Sequence, residues 1–400
     1  MNRRELIIIT QTWPGYQNGS RQALLASLRL YLKCVDSVHY IAMTDDIRSE
    51  VPEGLEGVEF HQIPLNKLSH SKRFLCSLLS LTPAVSHQFT RRHVLRALRE
   101  RVSEICQRGS QVIVLVEHLA PVAAWLRIQS DFSTVKFGLR SHDVLTSAFR
   151  ELANRSPVGV KQLLAWEVFR IRNLEHRAFQ GADFAWAITA ENVAEYQSEY
   201  GLSCNGVIGV EIDFERFQSV QEGDPWTVLH LGGHDLRKMQ GLRSLIRNVW
   251  PIVREKFPTA KLLLGGKGSE QLDAPELGIV GLGFVDDECG YLSQGALFVN
   301  PQESGSGIKL KSLNALAAGK TLISKMNGIE GVGGRNHVDY WAADSDQEMA
   351  DYMIRLMQDE SLRRQTSLNG LTHVKEYFSR EAIELNSLSL VKEAFEEEIV

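Results

Sequence analysis

Residues 298–319 join a short apolar run to a helical pattern through a turn that contains two glycines. The run Phe-Val-Asn-Pro at 298–301 predicts a buried strand, the Ser/Gly-rich stretch 302–307 a turn, and residues 308–318 a helix that ends at Gly319. A strand, a glycine turn and a helix in this order form the repeating unit of a parallel sheet covered by helices. This one unit therefore favours an α/β fold.

The turn also suggests an anion site. The first N–H groups of a helix have no partner within the helix and lie at the positive end of its dipole, so a phosphate is stabilised there. Lys309 and Lys311 add two positive charges close to Gly305 and Gly307. Two interpretations stay open: a site for the diphosphate of a nucleotide sugar, or an ordinary turn beside two solvated lysines.

The run Gly-Ser-Gly-Ile-Lys-Leu-Lys-Ser-Leu-Asn-Ala-Leu-Ala-Ala-Gly-Lys at 305–320 resembles the donor-site signature of the family-4-like glycosyltransferases, in the subgroup with Gly-Ser-Gly-x-Arg/Lys-x-Lys. The resemblance implies the GT-B fold, an α/β architecture of two Rossmann-like domains facing a cleft, with a C-terminal helix that crosses back to the N-domain. It also implies that the turn and its helix contact the donor through Gly305, Ser306, Gly307, Lys309, Lys311 and Asn314.

Length and pattern agree with two domains. A chain of 400 residues is too long for one hydrophobic core, and short apolar runs alternate with helical patterns along most of it. With the resemblance, we predict an N-terminal acceptor domain at 1–205, a connector at 206–224, a C-terminal donor domain at 225–378 and a returning helix at 379–400.

Charge and cysteine content narrow the function classes. The net charge of −5 and the pI near 6.2 give no basic footprint for a nucleic-acid partner. The five cysteines include no CxxC pair, which favours reduced thiols and a cytoplasmic location. No apolar run approaches the roughly 18 residues of a membrane-spanning helix, so we expect none.

Residues 66–103 are basic and amphipathic, with eight Lys and Arg residues against Glu100. Such a segment can lie on the anionic inner face of a membrane, and the resemblance includes enzymes that act there on lipid-linked acceptors. Alternatively, its apolar stripe packs into the N-domain and its arginines are solvated. The second interpretation is favoured, and peripheral membrane contact stays open.

Candidate ligand-binding residues of the N-domain follow predicted strands. Gly19 lies in a glycine-containing turn after the first strand. His118 follows the apolar strand 111–116, where a histidine can bind a sugar hydroxyl or act as a base, or serve only as a structural hydrogen-bonding group. The resemblance favours sugar contact by His118 and adds Arg140 and His142, from the segment Arg-Ser-His-Asp, as second-rank candidates.

In the C-domain, the strand 227–231 ends in Gly232 and Gly233, and the following loop contains Arg237. The resemblance implies that this loop delivers a cation to the donor pyrophosphate, and a guanidinium can bind two phosphate oxygens at once. Lys238 is the substitute if the loop is shifted by one residue. The predicted strand 280–285 resembles the one whose end contacts the base, which assigns Gly283, Phe284 and Val285 to that role.

Two positions depart from the family pattern. Most members have two glutamates here, one that contacts the transferred sugar and one that binds the ribose, and this chain has Ser306 and Asn314 at those places. Serine at the first is usual in the subgroup, whereas asparagine at the second is not.

The resemblance implies a retaining, metal-independent, hexosyltransferase-like enzyme with no cofactor. It would move a sugar from a nucleoside diphosphate sugar, such as a UDP-sugar, to a glycan or lipid-linked acceptor in cell-surface polysaccharide or glycoconjugate synthesis. One alternative is a non-catalytic relative that binds nucleotide sugars or glycans, which Ser306 and Asn314 favour. A nucleotide-sugar epimerase on the same plan is disfavoured by the Gly-Ser-Gly turn.

Overall fold

The computed structural model of the chain describes residues 3–15, 19–46, 54–66, 69, 80–108, 111–232, 239–305 and 307–396. The chain divides into two units. Unit 1 comprises Met1–Glu211 together with Ile383–Val400, and unit 2 comprises Ile212–Ala382.

Unit 1 is built on a parallel sheet. Its strands are β1 (Arg4–Thr10), β2 (Ser37–Met43), β3 (Val58–Ile63), β4 (Gln111–Glu117), β5 (Lys136–Ser141), β6 (Phe184–Ala187) and β7 (Gly206–Val207). Their order across the described sheet is β3-β2-β1-β4-β5-β6-β7, and each recorded pairing is parallel. β1, β2 and β4 are buried along nearly their whole length, as apolar strands covered on both faces must be.

The helices of unit 1 cover both faces of this sheet. They are α1 (Gly19–Tyr31), α2 (Arg92–Cys106), α3 (Leu119–Ile128), α4 (Leu145–Asn154), α5 (Val158–Gly181), α6 (Ala190–Tyr200) and, after unit 2, α13 (Arg380–Glu396). Two apolar clusters result, one on each side of β1 and β4.

Unit 2 repeats the plan. Its strands are β8 (Asp224–Leu231), β9 (Lys261–Gly265), β10 (Ile279–Gly283), β11 (Gly295–Asn300), β12 (Thr321–Lys325) and β13 (Trp341–Ala343), in the order β10-β9-β8-β11-β12-β13 across the described sheet. Its helices are α7 (Met239–Ser244), which continues through a π-helical turn (Leu245–Val249) into α8 (Trp250–Lys256), then α9 (Glu288–Leu292), α10 (Leu310–Ala317), α11 (Asp346–Gln358) and α12 (Glu360–Phe378). The two parallel, helix-covered sheets confirm the predicted α/β class with two Rossmann-like domains.

The strand order places the ligand-binding edges. β1 lies between β2 and β4, and β8 lies between β9 and β11, so the order reverses at these strands. In open parallel sheets the crevice for ligands lies at such a point, beyond the carboxyl ends of the strands. His118 follows β4 and Gly232 follows β8, so both predicted residues lie at such an edge.

Some predicted boundaries move. α10 begins at Leu310 rather than at residue 308, because Lys309 has a non-helical backbone (φ −93°, ψ 76°) and its N–H donates to the Glu330 carbonyl at 3.1 Å. β10 ends at Gly283, where φ is +69°, so Phe284 and Val285 lie beyond the strand that was predicted to contain them.

The segment 66–103 is described only in part, since residues 67–68 and 70–79 lie outside the described residues. In the described part, α2 buries an apolar stripe in the core of unit 1, formed by Val94, Leu98, Val102 and Ile105. Its exposed arginines form ion pairs with carboxylates, as in Arg96 to Glu100. This packing agrees with the structural interpretation of α2, and membrane contact stays a prediction. None of the described helices combines the length and hydropathy that crossing a bilayer requires.

The last helix, α13, completes the core of unit 1. Phe395 is fully buried, and its ring lies 6.2, 5.9 and 6.1 Å from those of Tyr31, Phe184 and Trp186. At the surface, Glu384 pairs with Lys33 of unit 1. The C-terminal helix therefore belongs to the N-terminal unit, as predicted.

This packing gives the first prediction. We expect Phe395→Ala to lower the free energy of unfolding by about 3–5 kcal/mol, because it removes a large side chain from a closed aromatic cluster. Urea denaturation measures the change. Leu385→Ala is the matched control on the same helix, because Leu385 is 83% exposed and should lose almost nothing. Equal losses in the two variants would mean that α13 does not complete this core.

Candidate active site

The turn between β11 and α10 is shaped by its glycines. Gly305 and Gly307 have φ values of +107° and +83°, in the left-handed region that other residues rarely adopt. Ser306, between them, lies outside the described residues. Glycine at these two positions therefore allows the backbone conformation of the turn, which the sequence predicts.

Lys309 holds this turn from the inside. Its ammonium donates to the carbonyl oxygens of Gly305 and Gly307 at 2.9 and 2.6 Å and to Glu330 Oε2 at 2.8 Å, and the residue is only 5% exposed. Glu330 Oε1 in turn accepts a hydrogen bond from the Gly307 N–H at 3.1 Å. Because an ammonium has three donors, these three oxygens match all of them. Lys309 positions the turn, and the direct phosphate contact predicted for it stays a prediction.

Lys311 lies in the first turn of α10, and its side chain reaches the end of β8. A Cβ atom placed on Gly232 would be 3.6 Å from Lys311 Nζ and equally 3.6 Å from His230 Nε2. His230 is buried, and its Nδ1 donates to the Val299 carbonyl at 3.0 Å, which fixes the ring. The structure thus brings together Gly232 and Lys311, which the sequence assigned to one site from positions 79 residues apart.

The backbone at this edge leaves no room for side chains. A Cβ on Gly266, whose φ is +119°, would lie 2.0 Å from the Gly232 carbonyl oxygen. The ends of β8 and β9 therefore pack backbone against backbone, which requires glycine at position 266. Gly233, Arg237 and Lys238, predicted in the loop that follows, lie outside the described residues.

Asn314 lies on α10, and its side chain is largely buried, with 7% exposure. Near it, Asn300 at the end of β11 donates to Ser312 Oγ at 2.9 Å and to the Gly328 carbonyl at 2.8 Å, which ties α10 to the loop after β12. Glu330, in the loop after β12, is engaged by Lys309 and the turn. No described contact assigns Asn314 to a nucleotide.

The predicted base-binding residues are placed at the end of β10. Gly283 uses both of its backbone groups within the protein: its N–H donates to Ser269 Oγ at 2.9 Å, and its carbonyl accepts from the Gly266 N–H at 2.7 Å. Phe284 is 67% exposed, and Val285 packs toward Gly265. A base at this edge would therefore meet Phe284 rather than the backbone of Gly283.

In unit 1, His118 has a strained backbone. Its φ is +73° and its ψ is 154°, a conformation that a non-glycine residue rarely adopts. Its Nε2 lies 2.6 Å from Ser20 Oγ, next to Gly19 at the start of α1, and its ring stacks on His142 at 3.7 Å between centroids. Its Nδ1 is buried and has no hydrogen-bond partner among the described residues. Strain together with an unsatisfied polar atom is typical of functional positions.

Glu117 is the centre of a buried network beside His118. Its Oε2 accepts from Arg140 at 3.0 Å and lies 2.6 Å from His142 Nε2, while its Oε1 accepts from Ser27 at 3.3 Å and from Tyr31 at 3.1 Å. Glu117 and Arg140 are fully buried. Arg140 and His142, predicted as second-rank ligand-binding residues, are thus held by this carboxylate.

The network sets the protonation of its members. Burial alone would raise the pKa of Glu117, but the charge of Arg140 and the hydrogen bond from His142 outweigh it and lower this pKa from 4.5 to about 2. Burial, with the neighbouring His142, holds the pKa of His118 well below its usual value. His118 is therefore a neutral imidazole at pH 7, suited to hydrogen bonding with a hydroxyl group.

Glu117, His118 and His142 also place three ligand-type atoms within 4.8 Å of one another. These atoms already have protein partners, however: Arg140 and His142 on the carboxylate and Ser20 on His118 Nε2. The geometry favours a hydrogen-bonded site for a polar ligand over a metal site.

Sequence reasoning missed several contributors. Glu117 ends an apolar strand, and Ser20 begins a helix, so nothing in the local pattern connects them. His230 interrupts the apolar strand β8, and that interruption is a usable signal. The pairing of Glu330 with Lys309 could not be found from the sequence either, because it depends on the fold.

The Glu117 network gives the second prediction. A carboxylate whose pKa is lower in the folded state stabilises the fold above its unfolded pKa near 4.5, and this stabilisation is lost as the pH falls toward 2. We expect Glu117→Gln to cost about 3–5 kcal/mol at neutral pH, because it leaves Arg140 buried and uncompensated. The difference from wild type should shrink between pH 4.5 and 2.

Urea denaturation across this pH range measures the difference. Glu199→Gln is the control, because its carboxylate is 49% exposed and pairs with Arg150 at the surface. If the stabilities of wild type and Glu117→Gln change in parallel with pH, the Glu117 carboxylate is not the source of the predicted pH dependence.

Part of the chain matches a known protein family and a known bacterial protein. Residues 225–359, most of unit 2, match the family described as glycosyl transferases group 1. An uncharacterized 44.6 kDa protein in the cps region of Klebsiella pneumoniae is 25% identical over 158 residues, which are 36% of this chain and 40% of that protein. The match thus spans less than half the length of that relative.

Solved structures with the same fold cover nearly the whole chain. Sucrose-phosphate synthase from Thermosynechococcus elongatus superimposes with a TM-score of 0.70 at 15% identity, over 98% of this chain and 99% of that one. HepE of Anabaena in complex with UDP gives 0.63 at 13% identity, over 97% and 100%. A mutant of S. aureus TarM in complex with fondaparinux, α-GlcNAc-glycerol and UDP gives 0.64 at 9% identity, over 99% and 100%. The chain therefore has the GT-B fold, and the matches together support a GT-B glycosyltransferase with a glycosyl transferases group 1 domain at residues 225–359.

Proposed function

We propose that this protein is a retaining glycosyltransferase of the family-4-like group. It transfers a sugar from a nucleoside diphosphate sugar, a UDP-sugar in the first instance, to a glycan or lipid-linked acceptor. It acts in the cytoplasm in cell-surface polysaccharide or glycoconjugate synthesis, and the transfer reaction uses no metal ion and no other cofactor. The UDP complexes of HepE and TarM, the glycan-type ligands of TarM and the cps-region relative support these choices.

One observation carries the proposal. Lys311 Nζ lies beside Gly232, at the carboxyl edge of the unit 2 sheet where bare backbone meets at Gly266. The neighbouring glycine turn is held in place by Lys309 and Glu330. A cation at the end of a strand, next to a preformed glycine turn that leads into a helix, suits a diphosphate. The Arg237 guanidinium, in the loop outside the described residues, is proposed as a second cation for it.

The proposed chemistry is a retaining transfer. The bond between the anomeric carbon and the diphosphate oxygen breaks, a bond to the acceptor hydroxyl oxygen forms on the same face of the sugar, and the hydroxyl proton passes to the departing phosphate. Lys311 stabilises the negative charge that develops on the leaving group, which is the largest contribution a side chain can make here. No protein nucleophile is required, so catalysis consists of positioning and charge stabilisation.

We assign a sugar-binding role to His118 of unit 1. Its neutral ring has one nitrogen paired with Ser20 and one buried nitrogen for which the described part of the chain offers no hydrogen-bond partner. A sugar hydroxyl can donate to or accept from such a nitrogen according to the tautomer. The strain at φ +73° is maintained because β4 and α3 fix the residues on both sides.

The third prediction separates the two lysines. We expect Lys311→Ala to weaken UDP binding by roughly 1.5–3 kcal/mol with little change in melting temperature, because it removes a charge-assisted contact. Lys309→Ala should lower both the UDP affinity and the melting temperature, because it removes the ammonium that binds the carbonyl oxygens of the turn and the Glu330 carboxylate. Calorimetric titration and thermal denaturation measure these quantities.

Lys261→Ala, at the exposed start of β9, is the control for loss of a positive charge in the same unit. If Lys311→Ala binds UDP as tightly as Lys261→Ala does, the donor diphosphate is not bound at Lys311.

The fourth prediction tests turnover. A panel of nucleotide sugars, incubated with and without glycan and lipid-linked acceptors and without added Mg²⁺ or Mn²⁺, should give acceptor-dependent release of the nucleoside diphosphate. The product should keep the anomeric configuration of the donor, as NMR can establish. His118→Ala should lower turnover at least about tenfold and leave UDP affinity unchanged, because it removes a sugar contact only.

His93→Ala, a surface histidine on α2, is the control and should keep wild-type turnover. Normal turnover in His118→Ala combined with a lower melting temperature would assign His118 a structural role only. A strict requirement for added divalent metal would contradict the metal-independent mechanism.

Asn314 favours a second candidate, a non-catalytic protein that binds nucleotide sugars or glycans. A buried asparagine on α10 lacks the charge and the second acceptor oxygen of a ribose-binding glutamate. Saturable UDP-sugar binding without release of nucleoside diphosphate, for every donor and acceptor in the panel, would favour this alternative.

A further inference from the structure

A second polar cluster lies in unit 1, away from the carboxyl edge that carries His118. It consists of Glu5 on β1, His39 on β2, and Glu59 and His61 on β3. Glu5, His39 and Glu59 each lie among the first three residues of their strands. Because these strands are parallel, the cluster belongs to the amino-terminal half of the sheet.

The strand register brings the side chains to one face. His39 pairs in register with Glu59, and His61 follows Glu59 by two residues, so both β3 side chains are on the same side. His39 Nδ1 lies 3.2 Å from Glu59 Oε2, and His61 Nε2 lies 3.9 Å from the same oxygen. The two imidazole rings are stacked, with centroids 5.9 Å apart and planes 17° apart. Each of the three residues presents a ligand-type atom within 4.8 Å of the others.

Two ring nitrogens of this cluster are unsatisfied. His39 Nδ1 and His61 Nε2 are both buried and have no hydrogen-bond partner within the described structure, although each faces a carboxylate oxygen. His39 is 0% exposed, so bulk solvent does not satisfy its Nδ1. A buried polar atom without a partner is costly and requires an explanation, such as an ion.

A second carboxylate orients the first histidine. Glu5 is 2% exposed, and its Oε2 lies 3.2 Å from His39 Nε2. A proton on Nε2 that is donated to Glu5 leaves the Nδ1 lone pair directed at Glu59. A carboxylate behind a histidine ring is the usual outer-shell arrangement of a metal-binding histidine, where it fixes the tautomer and the ring.

We propose that His39 Nδ1, Glu59 Oε2 and His61 Nε2 bind a divalent transition-metal ion, Zn²⁺ in the first instance, with water as the fourth ligand. Two histidines and one carboxylate form a known zinc ligand set, and ligands at 2.0–2.2 Å from a tetrahedral ion lie about 3.4 Å apart. The separations of 3.2 and 3.9 Å bracket this value.

The charges around the cluster favour binding of the ion through a single carboxylate oxygen of Glu59. Arg108 lies 3.4 Å from Glu59 Oε1, so the other carboxylate oxygen is already paired and Oε2 would bind alone. Arg101, close enough to act on His61, adds a further positive charge, and Glu5 and Glu59 supply two negative ones. His39 Nδ1 and His61 Nε2, the two nitrogens proposed to bind the ion, have no hydrogen-bond partner among the described residues. The ion would join β2 to β3, which is the edge strand of the described sheet.

The test uses the full-length protein after treatment with a chelator. Zn²⁺ is titrated in competition with a chromophoric chelator, and melting temperature is measured with and without Zn²⁺. We expect wild type to bind Zn²⁺ and to melt at a higher temperature when loaded, because a ligand of the folded state stabilises it. His61→Gln and Glu59→Gln should each lose at least about tenfold in Zn²⁺ affinity and most of the thermal shift.

Glu59→Gln keeps the test independent of folding, because the Glu59 side chain is 51% exposed and its loss leaves the core intact. His93→Gln on α2 is the matched control and should bind Zn²⁺ as wild type does. Co²⁺ provides a spectroscopic check: ligation by histidine and carboxylate gives visible d–d bands without the near-ultraviolet charge-transfer absorption of a thiolate.

Three results would overturn the proposal. The first is no Zn²⁺ binding by wild type in competition with the chelator. The second is Zn²⁺ affinity in both His61→Gln and Glu59→Gln equal to that of wild type. The third is a dominant thiolate band with Co²⁺, which would place the ion on cysteine.

Discussion

The buried carboxylate of Glu117 is the interaction on which the candidate site of unit 1 depends. It accepts hydrogen bonds from α1 through Tyr31 and from β5 through Arg140, and it lies against His142. Arg140 also donates to the carbonyl oxygens of Ile208 and Gly209, just before the division between the units. The Glu117 carboxylate thus links the end of β4 to β5 and α1, and Arg140 extends the network to Ile208 and Gly209. The strained His118 follows Glu117 directly in the chain.

The two units form their candidate ligand-binding edges with different kinds of residues. Each brings polar groups to the carboxyl edge of a parallel sheet, where backbone is accessible. In unit 1 the edge is held by buried charges and stacked imidazoles. In unit 2 it is formed by glycine backbone, and the Lys309 ammonium binds the carbonyl oxygens of the neighbouring turn. The first edge is suited to hydrogen bonding with neutral hydroxyls, and the second to an anion.

Much of this could be predicted from the sequence, because strand, glycine turn and helix leave a local pattern. The fold class and the convergence of Gly232 with the 305–311 turn followed from that pattern and from the motif that it carries. The partner of Lys309 could not be predicted, since Glu330 lies 21 residues further on and its approach depends on β12. The Glu117 network was missed for the same reason: its members come from α1, β4 and β5, and each is locally ordinary. The ligand-type cluster at His39 was missed because period-two alternation places residues on a face but does not show which neighbouring strand completes it.

The return of α13 to unit 1 also constrains how the chain acquires its structure. Unit 2 is an insertion whose two ends meet, since the Ile212 N–H donates to the Phe378 carbonyl at 2.8 Å. Its residues are contiguous, so it can form its core as soon as they have been synthesised. Unit 1 lacks Phe395 and the rest of its last helix until residues 383–396 follow. We therefore expect unit 2 to fold first on the ribosome. Unit 1 would stay incomplete, with its aromatic cluster exposed, until α13 has been synthesised. This order is the reverse of the usual folding from the N-terminus to the C-terminus.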